Sequence, residues 1–361
     1  MSVLNTNYLE PTGREEAWRF TPMKRLANLH TTSLHLAPAP VFSIEGGHES
    51  KVEIINRASS HSSTELDTLD GVTQKVRGEI AEESYLAIPT EAELPHPIHL
   101  RRSLTSTGVG SRFVIDAKAH SRSTLILHNS GDGSLAEEID IHVADGASLT
   151  LVMIQEWGRA TAHLCRIHST LAKDAKFDSI ILTLGGDLVR ILPSVEFVGE
   201  GAEAALDGLY FATDGQHLEH RIFIDHNKPR NKSRVNYKGA LVGERSHTVW
   251  FGDVLIRSSA EGTDTYELNR NLLLSDGARA DSVPNLEIET GEIVGAGHAS
   301  TTGRFDDEQL FYLMSRGIDR ETAKKLVIRG YFAEVISKIP SEEIQNSITS
   351  TIDHQLVKAG S

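Results

Sequence analysis

Seventeen histidines and a single cysteine, Cys165, are the residues of this 361-residue chain that could ligate a transition metal or handle a proton near neutrality. One cysteine excludes an intrachain disulfide, and it excludes any cysteine-rich zinc or iron–sulfur site built by this chain alone. The stretch "HLEHRIFIDH" brings His217, His220 and His226 close in sequence, but not in the His-Glu-x-x-His order of a helical zinc site. In a strand, His220 and His226 share a face while His217 points the other way, so the three read as solvated or hydrogen-bonded side chains. Cys165, in "AHLCRIHST", alternates with its neighbours as a strand residue would and reads as a small buried hydrophobe. The most unusual setting is "VGAGHASTTG", residues 294–303, where His298 stands alone in what reads as a turn of Gly, Ala, Ser and Thr. Small residues let backbones pack close or leave room for atoms that are not protein. One imidazole cannot hold a metal by itself. Either His298 is structural, or its co-ligands come from another chain.

Hydrolytic machinery is harder to find. Cleaving a sugar bond wants two carboxylates about 5–10 Å apart. Asp207, Asp214, Glu219 and Asp225 are available, but nothing in their spacing pairs them, and they read as surface carboxylates of an acidic protein. Nucleophile elbow, phosphate-binding loop and dinucleotide fingerprint are all missing from the sequence. The net charge of -14 and the lack of any long Lys/Arg block exclude nucleic acid as the main partner. The local basic stretch "HNKPRNKSR" (226–234) reads as a solvated turn. No apolar run approaches the ~18 residues of a membrane span, and "MSVLNTNYLEPTGREE" lacks a basic-then-apolar leader pattern. With a lone cysteine, these features predict a soluble cytoplasmic protein with no membrane partner.

The elements that must position these residues fall into three regions. Residues 1–97 mix helix and short strands, with Thr21-Pro22 as the expected start of a helix and "SYLAIP" (84–89) as a strand. Residues 98–302 form a β-rich core of short aliphatic strands such as "STLILH", "SLTLVMIQ" and "FDSIILTL". Turn centres Gly146, Asp174 and Gly201 recur roughly every 27 residues, and Gly277 lies near a multiple of that period. A strand-and-turn unit that cannot bury its own face must stack on its neighbours, which predicts a β-solenoid, a parallel β-helix. A β-sandwich is the rival, but its turns come every 8–12 residues. Residues 303–361 switch to helical signals: Asp306 with Gln309 ahead of "LFYLMSR", Gly317 as the terminator, then Asp319 and Ser341 as caps of two further helices. Leu310, Leu313 and Met314 make one apolar face, expected to pack into the core or cover the open end of the solenoid.

The stretch "PNLEIETGEIVGAGHASTTGRFDDEQLFYLMSRGIDRETAKKLVIRGYFAEVISKIP" (284–340) resembles the C-terminal signature of the SufB/SufD family of iron–sulfur cluster assembly proteins. So do "NYKGALVGERSHTVWFGDVLI", "NRNLLLSDGARADSVP" and "EEAWRFTP", and the resemblance covers nearly the whole chain. Length and cysteine count are more similar to SufD than to SufB. The resemblance implies a right-handed parallel β-helix core with an N-terminal α+β region and a C-terminal helical domain. It also implies a non-enzymatic subunit of a SufBCD-type complex, paired with a SufB-like chain and docked to a SufC-like ABC ATPase. His298 falls on the histidine of the family's Cys-Ser-His-Gly-Ala-Thr-like motif, with Ala296 in place of the cysteine and Ala299 in place of a glycine. The implied site is therefore shared: His298 would meet a transient iron–sulfur cluster only together with a partner chain, and no cofactor is expected on this chain alone. Phe311, Tyr312, Ser315, Arg316 and Gly317 are the expected support of the ATPase dock, although Leu310 and Phe311 could pack inward. A matching edge would also allow a homodimer. Two alternatives are a SufB-like scaffold holding its own cluster and a carbohydrate-active β-helix enzyme.

Overall fold

The computed structural model describes residues 10–34, 41–47, 52–59, 70–305 and 307–360. Among these, two nine-stranded sheets face one another, and from the strand Glu82–Ile88 onward successive strands alternate between them. From the strand Glu82–Ile88 onward every pairing is parallel and each strand pairs with the second one after it, so the chain winds through about eight coils of a β-solenoid. The strands Ser43–Glu45 and Ile54–Ala58 add antiparallel edges at the N-terminal end. Strict alternation sends every second side chain into the space between the sheets. That interior is a single aliphatic and aromatic core, including Ile115, Leu127, Ile141, Leu151, Ile181 and Ile224.

The coil-to-coil period is held at the corners. Gly146, Asp174 and Gly201 occupy equivalent positions with φ of 64°, 54° and 73°. Each donates its backbone N–H one coil onward, to the carbonyls of Lys173, Glu200 and Pro229 at 2.9, 3.0 and 3.3 Å. Gly277 does not belong to this ladder. It lies in the opposite corner, where its carbonyl accepts from Arg245 N–H at 3.1 Å. Each coil turns two corners, so a residue near a multiple of the period can fall on either.

Inside the core, glycines make room for rings. Gly208 lies beside Tyr237 and Gly239 beside Tyr210 in the registered strands, and a Cβ on either glycine would stand 2.0 Å from the neighbouring ring. The pair "GLY" at 208–210 and "YKG" at 237–239 is thus complementary across two coils.

Both outer faces are covered. Trp18, Leu26, Leu29, Leu34 and the helix α1 (Gly71–Glu79) cover one sheet over Ala136, Ala162, Leu164 and Leu188. Thr21 does not start a helix. Its hydroxyl donates to Glu219 at 2.7 Å, and only the single turn Met23–Arg25 follows, because Arg25 is drawn onto Asp187 and the Gly215 carbonyl. Tertiary contacts win over a good local start signal. At the other end come α2 (Asp307–Ser315), α3 (Arg320–Ile336) and α4 (Glu342–Gly360). Asp319 caps α3 by accepting from Thr322 N–H at 3.0 Å, and Gly317 ends α2 with φ 87°. The Ser341 hydroxyl accepts from Ile344 N–H at 3.4 Å at the start of α4. Asp306 lies outside the described residues.

The helices do not cover the end of the solenoid. Phe332, Val335, Ile336 and Ile339 of the α3 region and Ile344, Ile348 and Ile352 of α4 lie flat on the second sheet, over Ile154, Leu182, Leu209 and Phe211. The outer face of that sheet carries the longer apolar stripe and wins the helices. Of the face expected on α2, only Leu310 is buried, and Met314 is exposed.

Candidate functional site

With the helices laid on a side, the C-terminal end of the solenoid stays open. The strands Arg279–Ile288 and Gly295–Arg304 each pair on one edge only, leaving two ten-residue backbone edges. His298 sits on the second of these. The small-residue run expected as a turn is therefore a strand, because its backbone is committed to the parallel ladder with Asp264–Leu273. Ala296 packs against the core, and the Thr302 hydroxyl accepts from Asn271 at 3.4 Å. Even-numbered side chains thus face the interior, and His298 is exposed on that face at the mouth. A Cβ on Gly295 or Gly303 would meet nothing within 4 Å. Arg304 is the one formal charge on this ten-residue edge strand, and a long, nearly uncharged edge is a template for another chain.

Directly beneath His298 in the register is Glu267. It is 1% exposed, and neither carboxylate oxygen has a hydrogen-bond partner. Burial, with the charge of Asp253 adding to it, pushes its carboxyl up to about 8. Beside it, Asn269, Asn271, Tyr210 and Ser282 satisfy one another at 2.7–3.0 Å. The mouth is polar and mostly hydrogen-bonded, with one acid left out.

The other histidines divide as strand parity predicts. His220 and His226 face the interior, near Thr183 at 3.0 Å and Ser233 at 2.9 Å. Burial lowers their pKa to about 3 and about 4, so both are neutral imidazoles inside the fold. His217 faces outward between Glu219 at 3.2 Å and His247 at 3.2 Å, and His247 in turn meets Asp281 at 2.6 Å.

The carboxylates do not form a cleavage site, and two of them are not surface groups. Glu219 is buried between Arg190, His217 and Thr21, which hold its carboxyl down to about 2 against the upward push of burial. Asp207 is buried under α3, 2.7 Å from Lys338. Asp225 pairs with Arg257, while Asp214 lies in a corner near Arg245.

Spacing did not reveal a cluster in the interior near the N-terminal half. Glu137, His163 and Cys165 present ligand atoms within 4.8 Å of one another, all buried. Arg102 already pairs with Glu137, His163 contacts the same carboxylate at 2.7 Å, and the Trp157 indole donates to His163 Nδ1 at 3.1 Å. This is a buried ion-pair network, several coils from His298, in which Glu137 Oε2 and Arg102 Nη1 have no partner. Its one sequence signal is parity: Glu137 and Arg102 fall on inward positions of strands that otherwise bury aliphatics. Burial, then Glu137, pushes the Cys165 thiol well above its usual range. Cys165 is therefore expected to resist a chromogenic disulfide reagent in the native protein and to react at the rate of unfolding; prompt labelling would show an accessible thiolate.

On α2 the expected docking residues do gather. Phe311 is 73% and Tyr312 57% exposed, Arg316 stacks 5.2 Å over the Tyr312 ring, and the Ser315 hydroxyl donates to the Tyr312 carbonyl. Leu310 alone turns inward. No helix among the described residues is long and apolar enough to cross a membrane.

The C-terminal end of the solenoid is thus an open, histidine-bearing mouth flanked by two unpaired edges. Residues 99–331 match the SufBD core domain of the SUF system for FeS cluster assembly. An iron–sulfur cluster assembly SufBD family protein of Mycobacterium tuberculosis is 43% identical over 358 residues, covering 96% of this chain and 89% of that protein. One from Mycobacterium leprae is 42% identical over 96% of this chain and 90% of its own. The iron–sulfur cluster assembly protein SufD of Escherichia coli is 24% identical over 96% of this chain and 89% of its own. The chain belongs to the SufBD family of iron–sulfur cluster assembly proteins.

Proposed function

We propose that this chain is a SufD-like, non-enzymatic subunit of a cytoplasmic SufBCD-type assembly complex. It pairs its open solenoid end with a SufB-like chain and contributes His298 to the interface where a cluster forms. The carrying observation is that His298 is exposed on the inward face of an unpaired edge strand. Cluster iron is held mostly by thiolates, with imidazole replacing some. The only thiol of this chain is buried in a different coil, so the thiolates come from the partner and this chain supplies a half-site. This favours a shared site over a SufB-like scaffold acting alone. A carbohydrate-active enzyme is disfavoured because Asp207 and Asp214 lie on the other sheet and in a corner, and Glu219 and Asp225, although on one face of the same strand, stand six residues or about 20 Å apart, each held by its own partners.

Phe311 and Tyr312 offer an apolar surface to a SufC-like ATPase. Movement of the docked helices would then reach the mouth through α2, which follows the His298 strand in the chain. Co-purification with SufB-like and SufC-like partners tests the assembly. Phe311→Ala with Tyr312→Ala is expected to weaken the ATPase at least about tenfold, since exposed aromatics are the usual anchors of an interface. The melting temperature should stay unchanged, because neither ring is in the core. Undiminished ATPase binding would move the dock elsewhere.

A further inference from the structure

We propose that Glu267 is a second ligand of the His298 site, its carboxylate and the imidazole together holding one divalent first-row metal ion at the mouth of the solenoid. This rests on the reading of His298 as the site's imidazole, and it assigns to the half-site a form of cargo: ferrous iron held by nitrogen and oxygen before any thiolate is involved. The two residues are register partners on adjacent parallel strands. Such strands lie about 4.8 Å apart, and both side chains leave the same face, so an imidazole nitrogen and a carboxylate oxygen can meet one ion at about 2.0–2.2 Å. A mixed nitrogen and oxygen donor set suits ferrous iron and its congener cobalt.

Three features single out Glu267. Its inward column is otherwise apolar or hydroxyl below it, through Leu151, Ser179, Leu206 and Val235. Its carboxyl is buried with both oxygens unpartnered, an arrangement that costs stability and that folding alone does not reward. Glu137 is the contrast within the same interior: it is equally buried, but Arg102 and His163 both bind its Oε1 and answer its charge. Space is also kept for it. Across the interior, a Cβ on Gly252 would stand 2.8 Å from Glu267 Oε2 and 2.3 Å from the Trp250 ring.

The test is anaerobic Co²⁺ titration of the full chain, followed by calorimetry and visible absorption. It is run on wild type, Glu267→Gln, Glu267→Met, His298→Ala and the Glu267→Gln/His298→Ala double variant. Subtracting the double variant removes binding at other histidines. The expected result is one additional site in wild type, weakened at least about tenfold by each single substitution, the range seen when a ligand or its support is lost. The double variant should lack the additional site, because both residues serve one ion and neither ligand remains. Glu267→Met should melt at or above the wild-type temperature, since an unpaired buried carboxyl has been removed, while Glu267→Gln, which keeps an unpaired polar head, should melt close to wild type. Wild-type affinity in both Glu267 variants, with loss in His298→Ala, would overturn the role of Glu267 and leave that of His298. A wild type that binds no more Co²⁺ than the double variant would overturn the two-ligand site, whereas the His298 reading would still be decided by cluster formation in the complex. Glu267 variants that melt several degrees lower and bind Co²⁺ normally would make the residue structural.

Discussion

His298→Ala is expected to cut cluster formation in the reconstituted three-part complex by at least about tenfold, while leaving assembly of the complex and the fold of the chain intact. The magnitude follows from the position of the side chain. Loss of groups that merely support a metal ligand typically costs 10–100-fold in affinity or activity, and loss of the ligand itself should cost no less. The fold should not notice, because the imidazole is exposed and surface substitutions away from special features stay within about 0.5 kcal/mol. The measurement is anaerobic reconstitution with iron and sulfide, read by visible absorbance and iron content, with wild type alongside. A mutant complex that fills to the wild-type level would make His298 a packing residue and the subunit's part mechanical.

Around His298 the side-chain chemistry was legible and the backbone was not, because a run of small residues reads as a turn and only the ladder with Asp264–Leu273 makes it a strand. A lone imidazole among very small residues is visible in any reading of the chain, and strand parity tells which neighbours share its face. The repeat was legible because corner residues such as Gly146, Asp174 and Gly201 mark successive coils. Other features depend on which faces compete for one another. Thr21 carries a good helix-start signal, yet its hydroxyl is taken by Glu219, almost two hundred residues away. Leu310, Leu313 and Met314 have helical spacing suited to a cover, but the sheet face around Ile154 and Leu209 offers more area and takes α3 and α4 instead. Glu267 was invisible. A glutamate in "YELNRN" looks like any solvated strand residue until a whole further coil is laid over it. Parity alone places it inward, but only the register shows that nothing there answers its charge.

Glu137→Gln is expected to destabilise the chain by about 3–5 kcal/mol, the usual cost of breaking a buried ion pair from one side. Glu137 is fully enclosed, and it serves the Arg102 guanidinium and the His163 Nε2–H at once. The Trp157 indole donates to Nδ1 of that imidazole, so Nε2 carries the proton and donates to the carboxylate. Both donors reach the same oxygen, Oε1, so an amide can keep its oxygen on them with its NH2 where Oε2 has no partner, but it removes the negative charge and leaves the buried Arg102 guanidinium unanswered. Burial on its own would raise the Glu137 carboxyl, but Arg102, with His163, holds it down to about 2. A carboxyl depressed in the folded state contributes stability that is fully present above its unfolded value near 4.5 and is lost as pH falls toward 2. Denaturant midpoints should therefore separate wild type from Glu137→Gln widely at pH 7, and the gap should close in acid. Arg102→Met with Glu137→Leu should recover most of the loss, because an apolar pair can replace a buried ion pair at little cost. Recovery would mean that the pair is retained for register: Arg102 and Glu137 lie on strands of different coils, and a slip of one residue in either strand would turn its charge to the outer face and leave the other buried and unpaired. Failure to recover would mean that His163 and Trp157 depend on the carboxylate, and that the network is one cooperative unit.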